Sequence, residues 1–383
     1  MARFNFSDFQ ALTKFSSGPC VTIYMPNREA MPYSQQDAIR LSNLIDKAGD
    51  QLSTRWMSYQ KSLEFIEPMR HIPKDHAFWQ LRGRGLAIFL DHRGVRKFSI
   101  PFKIGEMVVV SPCFYLRLLL PLISEEDSFY ILTISGTKIR LFHASEYRID
   151  AVDLPNLRQH LDDVKTRRED NSTSPTLAFN PTHSQKTDLT PTPLDDFEGL
   201  PINDRNRLFR HFNDALMELL QGQNKPLILA GVESLIVGFR QSCQYPHIVS
   251  GKLLGNCDHL ATHHLWKQAL PLVRSSYAKN RHQAAEKCRN LAGTAHVTNN
   301  IQRTVAAALE GKIETLFIAS DHHIWGKLDQ GARLHHRVRR SGSDVIDLLD
   351  FAAAQTQLSL GSVYVVARDQ VPLSQPFTAL LRH

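Results

Sequence analysis

Histidines at helical spacing are the first residues of this sequence that could do chemistry. The stretch DHLATHHLW carries His259, His263 and His264, and two histidines four residues apart can hold zinc from one face of a helix. No glutamate completes an H-E-x-x-H pattern and no third ligand follows at helical spacing. Because Asp258 is explained equally well as a helix N-cap, we predict no metal site.

A second histidine pair lies in Asp321-His322-His323, directly after a predicted strand. Strand ends of this kind often carry the sites of α/β proteins. No serine or cysteine is placed as a nucleophile, and the sequence has neither G-x-S-x-G nor a glycine-rich nucleotide loop. We therefore expect a solvated turn here and no cofactor.

Basic residues form three clusters, at Lys165–Arg168, Arg274–Arg289 and Arg333–Arg340. Clusters of this kind can neutralise phosphates, and the formal charge of +7 fits a polyanionic partner. For any one cluster taken alone, a solvated helix or loop face is the favoured explanation, and the clusters together with the charge make nucleic-acid or ribosome contact a reasonable hypothesis. The candidate nucleic-acid contacts are Lys165, Arg167, Arg168, Arg337, Arg339 and Arg340.

Composition places the chain among intracellular globular proteins. It is 42% hydrophobic and 22% charged over 383 residues, which predicts two or three domains. The five cysteines are scattered and never form C-x-x-C, so we expect a reducing cytoplasm. The longest apolar run, Phe114–Ile123, is too short to span a membrane and carries Arg117. It predicts a buried strand or helix.

The elements that would position these residues fall into three segments. Residues 1–125 predict an α+β domain, with the strand Cys20–Met25 followed by an amphipathic helix. Residues 126–256 open with three strands between Phe129 and Leu154, and residues 257–383 alternate helices with strands. In the last segment we expect a helix from about Leu260 to Leu291, bent or broken at Pro271, and another at Asp344–Thr356.

The polar segment from about Asp170 to Asn203 is the most unusual part of the sequence. It is rich in Ser, Thr, Pro, Asn and Asp and has few large apolar residues. Loops longer than about 12–15 residues inside a domain are usually functional or disordered. We expect this segment to carry the function.

The order of the elements resembles the archaeo-eukaryotic peptide-chain release factor and Pelota superfamily, in its bacterial release-factor-like branch. The likeness begins at Val21–Pro26 and includes the three strands with the polar segment. It ends with Ala306–Ala319, Gly361–Val366 and Ala379–Arg382, although His383 replaces the usual final aromatic residue. The resemblance implies an α/β protein with an α+β N-terminal domain, an RNase H-like middle domain and a C-terminal α/β/α sandwich.

Release factors carry a Gly-Gly-Gln motif in the loop that corresponds to the polar segment. Here that loop has Thr182, His183, Ser184, Gln185 and Lys186. No glycine precedes Gln185, and Gly199 is the only glycine between Asp150 and Asn203. Residues with side chains adopt positive φ at a cost. We therefore expect no orthodox peptide release, and the usual stop-codon-reading motifs are also missing.

Three functional hypotheses remain open. The first is a ribosome-associated factor that enters the A site, in ribosome rescue or hibernation, and contacts rRNA and tRNA. By resemblance, its C-terminal domain would contact a translational GTPase such as the elongation factor that delivers tRNA. The second is a hydrolase of peptidyl-tRNA or another RNA-linked ester, with Gln185 or His183 in the loop. The third is an RNA-binding module unrelated to the ribosome.

Overall fold

A computed structural model of the chain describes residues 4–14, 18–27, 35–79, 83–125, 127–135, 138–153, 202–257, 260–328, 334–336 and 345–382. The chain divides into two compact units. One unit joins Met1–Glu126 to Asn280–His383, and the other is Asp127–Lys279. Within the described ranges, no helix has both the length and the apolar character needed to cross a bilayer.

The first unit begins with a four-stranded antiparallel sheet and its helices. The helices are α1 (Phe6–Thr13), α2 (Gln35–Arg55), α3 (Tyr59–Arg70), α4 (His76–Trp79) and α5 (Leu120–Ile123). The strands are β1 (Cys20–Pro26), β2 (Gly85–Asp91), β3 (Gly94–Ile100) and β4 (Met107–Ser111), in the order β3-β2-β1-β4. Side chains alternate between the two faces of a strand, so Val21, Ile23 and Met25 pack with the apolar face of α2.

The second unit is a five-stranded sheet between two layers of helices. Its strands are β5 (Ser128–Ile134), β6 (Ile139–Ser145), β7 (Ile149–Val152), β8 (Leu227–Gly231) and β9 (Ile248–Leu254). Its helices are α6 (Ile202–Leu220), α7 (Glu233–Ser242) and α8 (Thr262–Asn290), which continues into the first unit. The strand order is β7-β6-β5-β8-β9. Strands β5, β8 and β9 are parallel, whereas β6 is antiparallel to both β5 and β7.

The two faces of this sheet have different partners. Leu132 and Leu229 pack with Phe212 of α6, in a cluster that also contains residues of α7. Ile131 and Ile228 of the opposite face pack with α8. This strand order and this layering are those of the RNase H-like fold that the resemblance predicts.

The rest of the first unit adds a mixed sheet, a small antiparallel sheet and two helices. The helices are α9 (Ile301–Leu309) and α10 (Leu348–Leu358). The strands are β10 (Val297–Thr298), β11 (Ile313–Ala319), β12 (Trp325–Leu328), β13 (Leu334–His336), β14 (Ile346–Asp347), β15 (Ser362–Val366) and β16 (Phe377–Leu381). The sheet orders are β10-β16-β11-β15 and β13-β12-β14.

One hydrophobic core joins the early and late parts of the first unit. Tyr24 and Phe89, from the second face of the early sheet, belong to the same buried cluster as Leu316 of β11 and Ala352 of α10. Phe114 packs edge-on against Phe89, with ring centroids 5.2 Å apart. Residues separated by more than 200 positions therefore share one core.

The predicted α/β fold class is confirmed, and one detail of the prediction is wrong. Of the two alternatives predicted at Pro271, a break is excluded, because helix α8 continues through that residue, with Leu265, Ala269 and Val273 packed on the sheet. The helix predicted to begin at Asp344 begins at Leu348. The two residues before it pair with β12 instead, and the Asp347 side chain accepts a hydrogen bond from the Leu349 amide. The division into segments 1–125, 126–256 and 257–383 stays a prediction.

Gly231, the last residue of β8, provides a test of the second unit's packing. Its φ is +151°, and a Cβ at this position would lie 2.0 Å from the Ile134 carbonyl oxygen. We expect Gly231→Ala to lower the free energy of unfolding by about 2–5 kcal/mol in denaturant titrations. Gly222→Ala is the matched control, because Gly222 has φ +74° but open space around it. It should cost only about 1–2 kcal/mol, and equal losses for the two variants would contradict the clash at Gly231.

Candidate functional site

The predicted contact residues lie outside the described part of the chain. This holds for Thr182, His183, Ser184, Gln185 and Lys186, for Lys165, Arg167 and Arg168, and for Arg337, Arg339, Arg340 and His259. Their roles stay predictions. The described residues that flank the polar segment are Asp153 after β7, some way before it, and Ile202 at the start of α6.

Asp153 and Ile202, the described residues on either side of the polar segment, lie at the same edge of the middle sheet. Strand β7 runs in the same direction as β5, because β6 is antiparallel to each of them. The carboxyl ends of β5, β7, β8 and β9 therefore share one edge, which we call the carboxyl edge. Helix α6 leads from residue 202 to the opposite end of β8, so it begins at the carboxyl edge. The polar segment leaves the sheet and returns to it there.

The carboxyl edge is built with close backbone approaches. Gly231 ends β8 against the Ile134 carbonyl, where a side chain would not fit. The Gly255 amide donates to the Gly231 carbonyl over 3.1 Å, which links the ends of β9 and β8. Helix α7 follows at once, with Val232 as an N-cap that makes no side-chain hydrogen bond. Close backbone contacts therefore join the ends of β5, β8 and β9 at this edge.

Basic side chains lie close to this edge. Lys138 is exposed at the β5–β6 turn, and the Ser135 amide and hydroxyl both donate to its carbonyl, over 3.0 and 2.9 Å. Arg140 donates to the Cys257 carbonyl over 2.7 Å. Lys252 pairs with Glu233, and Arg205 lies in the first turn of α6. Arg140 and Lys252 have structural partners, and Lys138 presents an exposed cation.

The other two histidines of the stretch DHLATHHLW lie on α8. His263 and His264 are exposed, and the His263 ring packs against Trp266 with centroids 5.6 Å apart. Within the described ranges, no group of three or more His, Cys, Asp or Glu side chains could hold a metal ion.

A buried charged cluster lies in the first unit, around Arg117. The Arg117 side chain is 1% exposed and lies 3.7 Å from the Asp347 carboxylate, which is 2% exposed. Arg117 Nε lies 3.0 Å from the Tyr115 hydroxyl, and Nη1 donates to the His322 carbonyl over 2.9 Å. His323 Nδ1 lies 2.7 Å from Asp347 and 3.2 Å from Arg117 Nη2. The shorter distance indicates that Nδ1 carries the proton and donates it to Asp347.

The prediction of a solvated turn at Asp321-His322-His323 is therefore wrong for His323. Asp321 is exposed, but the His323 side chain is only 32% exposed and pairs with a buried carboxylate. Burial, followed by the nearby charge of Arg368, lowers the pKa of His322. The partner Asp347 lies 24 residues along the chain, beyond any local spacing pattern.

A second buried carboxylate, Asp350, belongs to the same cluster. Its Oδ1 accepts hydrogen bonds from the backbone amides of Leu116 and Arg117, over 2.9 and 2.5 Å. Burial, followed by the charge of Asp347, raises its pKa to about 7. Arg117 and the two amides oppose this shift but do not cancel it. Asp350 thus titrates near neutral pH.

A family model matches the part of the chain that contains the carboxyl edge. The model is bacterial archaeo-eukaryotic release factor family 3, and it matches residues 128–312. Over these residues the chain is similar to bacterial release-factor-like proteins. The match begins at the first strand of the middle sheet and ends just before β11. The resemblance deduced from the sequence is confirmed, and none of the curated proteins matches this sequence.

Three known structures are similar to this chain at low identity. Archaeal Pelota, from a model of ribosome-bound Pelota and ABCE1, is 12% identical over 100% of this chain and 95% of its own, with a TM-score of 0.37. Dom34 of S. cerevisiae, a translation termination-like factor, is 9% identical over 79% and 75%, with a TM-score of 0.35. Archaeal termination factor aRF1 is 13% identical over 98% and 96%, with a TM-score of 0.27. Similarities this low do not indicate a function for this chain.

Arg117 provides a test of the buried cluster in the first unit. Removing one partner of a buried ion pair leaves the other charge uncompensated, so Arg117→Met should lower the free energy of unfolding by about 3–5 kcal/mol. Arg93→Met is the matched control. Arg93 also pairs with a buried carboxylate, that of Asp91. In Arg93→Met, Asp91 would still pair with Arg96, which lies 3.0 Å from it. The loss of unfolding free energy should therefore stay below about 1 kcal/mol. Denaturant titration measures both, and a small loss for Arg117→Met would contradict the account.

Proposed function

We propose that this protein binds the ribosome in the A site, in rescue or in protection of idle ribosomes, and does not release the peptide. The observation that carries the proposal is the position of the polar segment. The described residues on either side of it, Asp153 and Ile202, lie at the carboxyl edge of the middle sheet, in the part of the chain that the release-factor family model matches. Binding residues often lie on loops that a folded scaffold positions.

The residues of the segment favour contact over hydrolysis. Gln185 and His183 could take part in ester chemistry, but no glycine precedes Gln185. Without glycine, the backbone does not readily adopt the angles that would bring Gln185 close to a scissile ester. Thr182 to Lys186 would then touch RNA or occupy space near the peptidyl-transferase centre. Hydrolysis of peptidyl-tRNA is the alternative activity.

Charge supports an RNA partner. The chain carries a formal charge of +7, and Lys138 is exposed at the carboxyl edge of the middle sheet. Phosphate contacts by such residues give affinity that falls steeply with salt. The basic clusters at Lys165–Arg168 and Arg337–Arg340 would add contacts of the same kind. We further propose a cytoplasmic location and a contact of the C-terminal segment with a translational GTPase, both by family resemblance.

Co-sedimentation with ribosomes across a salt series tests this proposal. We expect the protein to pellet with idle and translating ribosomes at low salt, with affinity that falls as salt rises. Lys138→Glu should weaken binding several-fold and reduce the salt slope by about 1–2. Arg240→Glu is the matched control, because Arg240 is equally exposed but lies in the last turn of α7, at the opposite edge of the sheet. It should leave binding unchanged.

Several outcomes would contradict the proposal. Protein that stays in the supernatant at low salt would exclude ribosome binding, and salt-sensitive binding to free RNA alone would favour the unrelated RNA-binding module. If Lys138→Glu and Arg240→Glu changed ribosome binding equally, the carboxyl edge would not be part of the interface. Release of peptide from peptidyl-tRNA on ribosomes, lost in Gln185→Ala, would establish the hydrolase instead.

A further inference from the structure

The segment that leads from β4 towards the middle unit is held in place by a side chain from the late part of the chain. This connecting segment, Cys113–Ile123, is buried in the first unit through Phe114, Leu116, Leu119 and Leu120. Asp350, in the first turn of α10, accepts the amides of Leu116 and Arg117 on one carboxyl oxygen. Two successive backbone donors are therefore satisfied by a residue 233 positions away. The contact fixes the connecting segment on α10.

The charged and titratable groups around Asp350 come from each element packed on it. Tyr24 of β1 donates its hydroxyl to the Tyr115 carbonyl over 2.7 Å. Tyr24, Cys113 and Tyr115 all have pKa values that burial raises, with Asp350 as a further cause. Arg117 is the nearby cation, and Asp347 is the nearby anion. His323 lies on the far side of Asp347.

The charges of this cluster balance when Asp350 is protonated. Asp347 is compensated by Arg117 at 3.7 Å and also receives the His323 hydrogen bond at 2.7 Å. Ionised Asp350 would add a second negative charge beside Asp347 in a site from which water is excluded. Such a charge is costly unless it is paired. Opening of the connecting segment would let water reach the carboxylate and relieve that cost.

We propose that Asp350 is a proton-controlled latch that holds the connecting segment on α10 when protonated and loosens it when ionised. The segment is followed after a few residues by Ser128, where the middle sheet begins. The latch therefore determines how firmly the path into the middle unit is fixed to the first unit. It is independent of the polar segment and of ribosome binding.

The direction of the pH dependence follows from linkage. The pKa of Asp350 is about 7 in the closed state, against 3.8 for an ordinary aspartate. The closed state, in which the connecting segment is held on α10, therefore binds more protons than the open state. Its stability relative to the open state is greatest below pH 3.8 and is lost as pH rises through 7. The opening equilibrium should rise about tenfold per pH unit between roughly pH 5 and pH 7, and then level off.

Hydrogen exchange of the Leu116 and Arg117 amides in the full-length protein tests the latch. After correction for the intrinsic effect of pH on exchange, wild-type protection should fall by about tenfold per unit up to pH 7 and then stay constant. In Asp350→Asn, whose amide oxygen still accepts both bonds but cannot ionise, protection should not change with pH. His323→Gln should keep the wild-type dependence, and the Thr304 amide of α9, which donates to Asn300, should show no such dependence.

Two results would overturn the latch. One is wild-type protection of Leu116 and Arg117 that does not change between pH 5 and pH 7. The other is a dependence that persists in Asp350→Asn, since another group would then carry it. If Asp350→Asn does not fold, carbon NMR of the wild-type carboxyl decides. A midpoint near 7 supports the latch, and a midpoint below 5 excludes it.

Discussion

The direction of the strands in the middle sheet is the constraint on which the candidate site depends. Because β5, β7, β8 and β9 run the same way, their carboxyl ends share one edge. Strand β7 leads to the stretch that contains the polar segment, and α6, packed on the sheet through Leu208 and Phe212, follows it. At the same edge Gly231 allows a close backbone approach to Ile134 that a side chain would prevent.

In the first unit, segments that are far apart in the sequence are joined by buried charged side chains. Arg117, Asp347 and Asp350 are each almost fully buried, and each satisfies a group from the other part of the chain. The apolar core supplies most of the driving force, whereas these polar contacts define one arrangement of the segments. A buried ion pair adds little net stability, but removing one of its partners costs several kcal/mol, about 3–5, because the other charge is left buried and unpaired.

The sequence predicts local elements better than long-range contacts. The predicted strand Cys20–Met25 and the predicted helix Leu260–Leu291 agree with β1 and α8 to within two residues at each end, because each has a clear apolar pattern. Strand β9 was missed, since its half-buried residues and Gly251 give no regular alternation. Arg117 was visible as a charge in an apolar run, but its partner Asp347 lies about 230 residues away. No local pattern can show such a pairing.

A map of the protein bound to a ribosome tests the central claim most directly, because it shows where the polar segment lies. The account predicts that the middle unit sits in the A site, with residues 182–186 directed towards the peptidyl-transferase centre and the peptide still attached to tRNA. The carboxyl edge would be the side of the sheet that faces this centre. A map with the carboxyl edge turned away from ribosomal RNA, or with the A site empty, would contradict it.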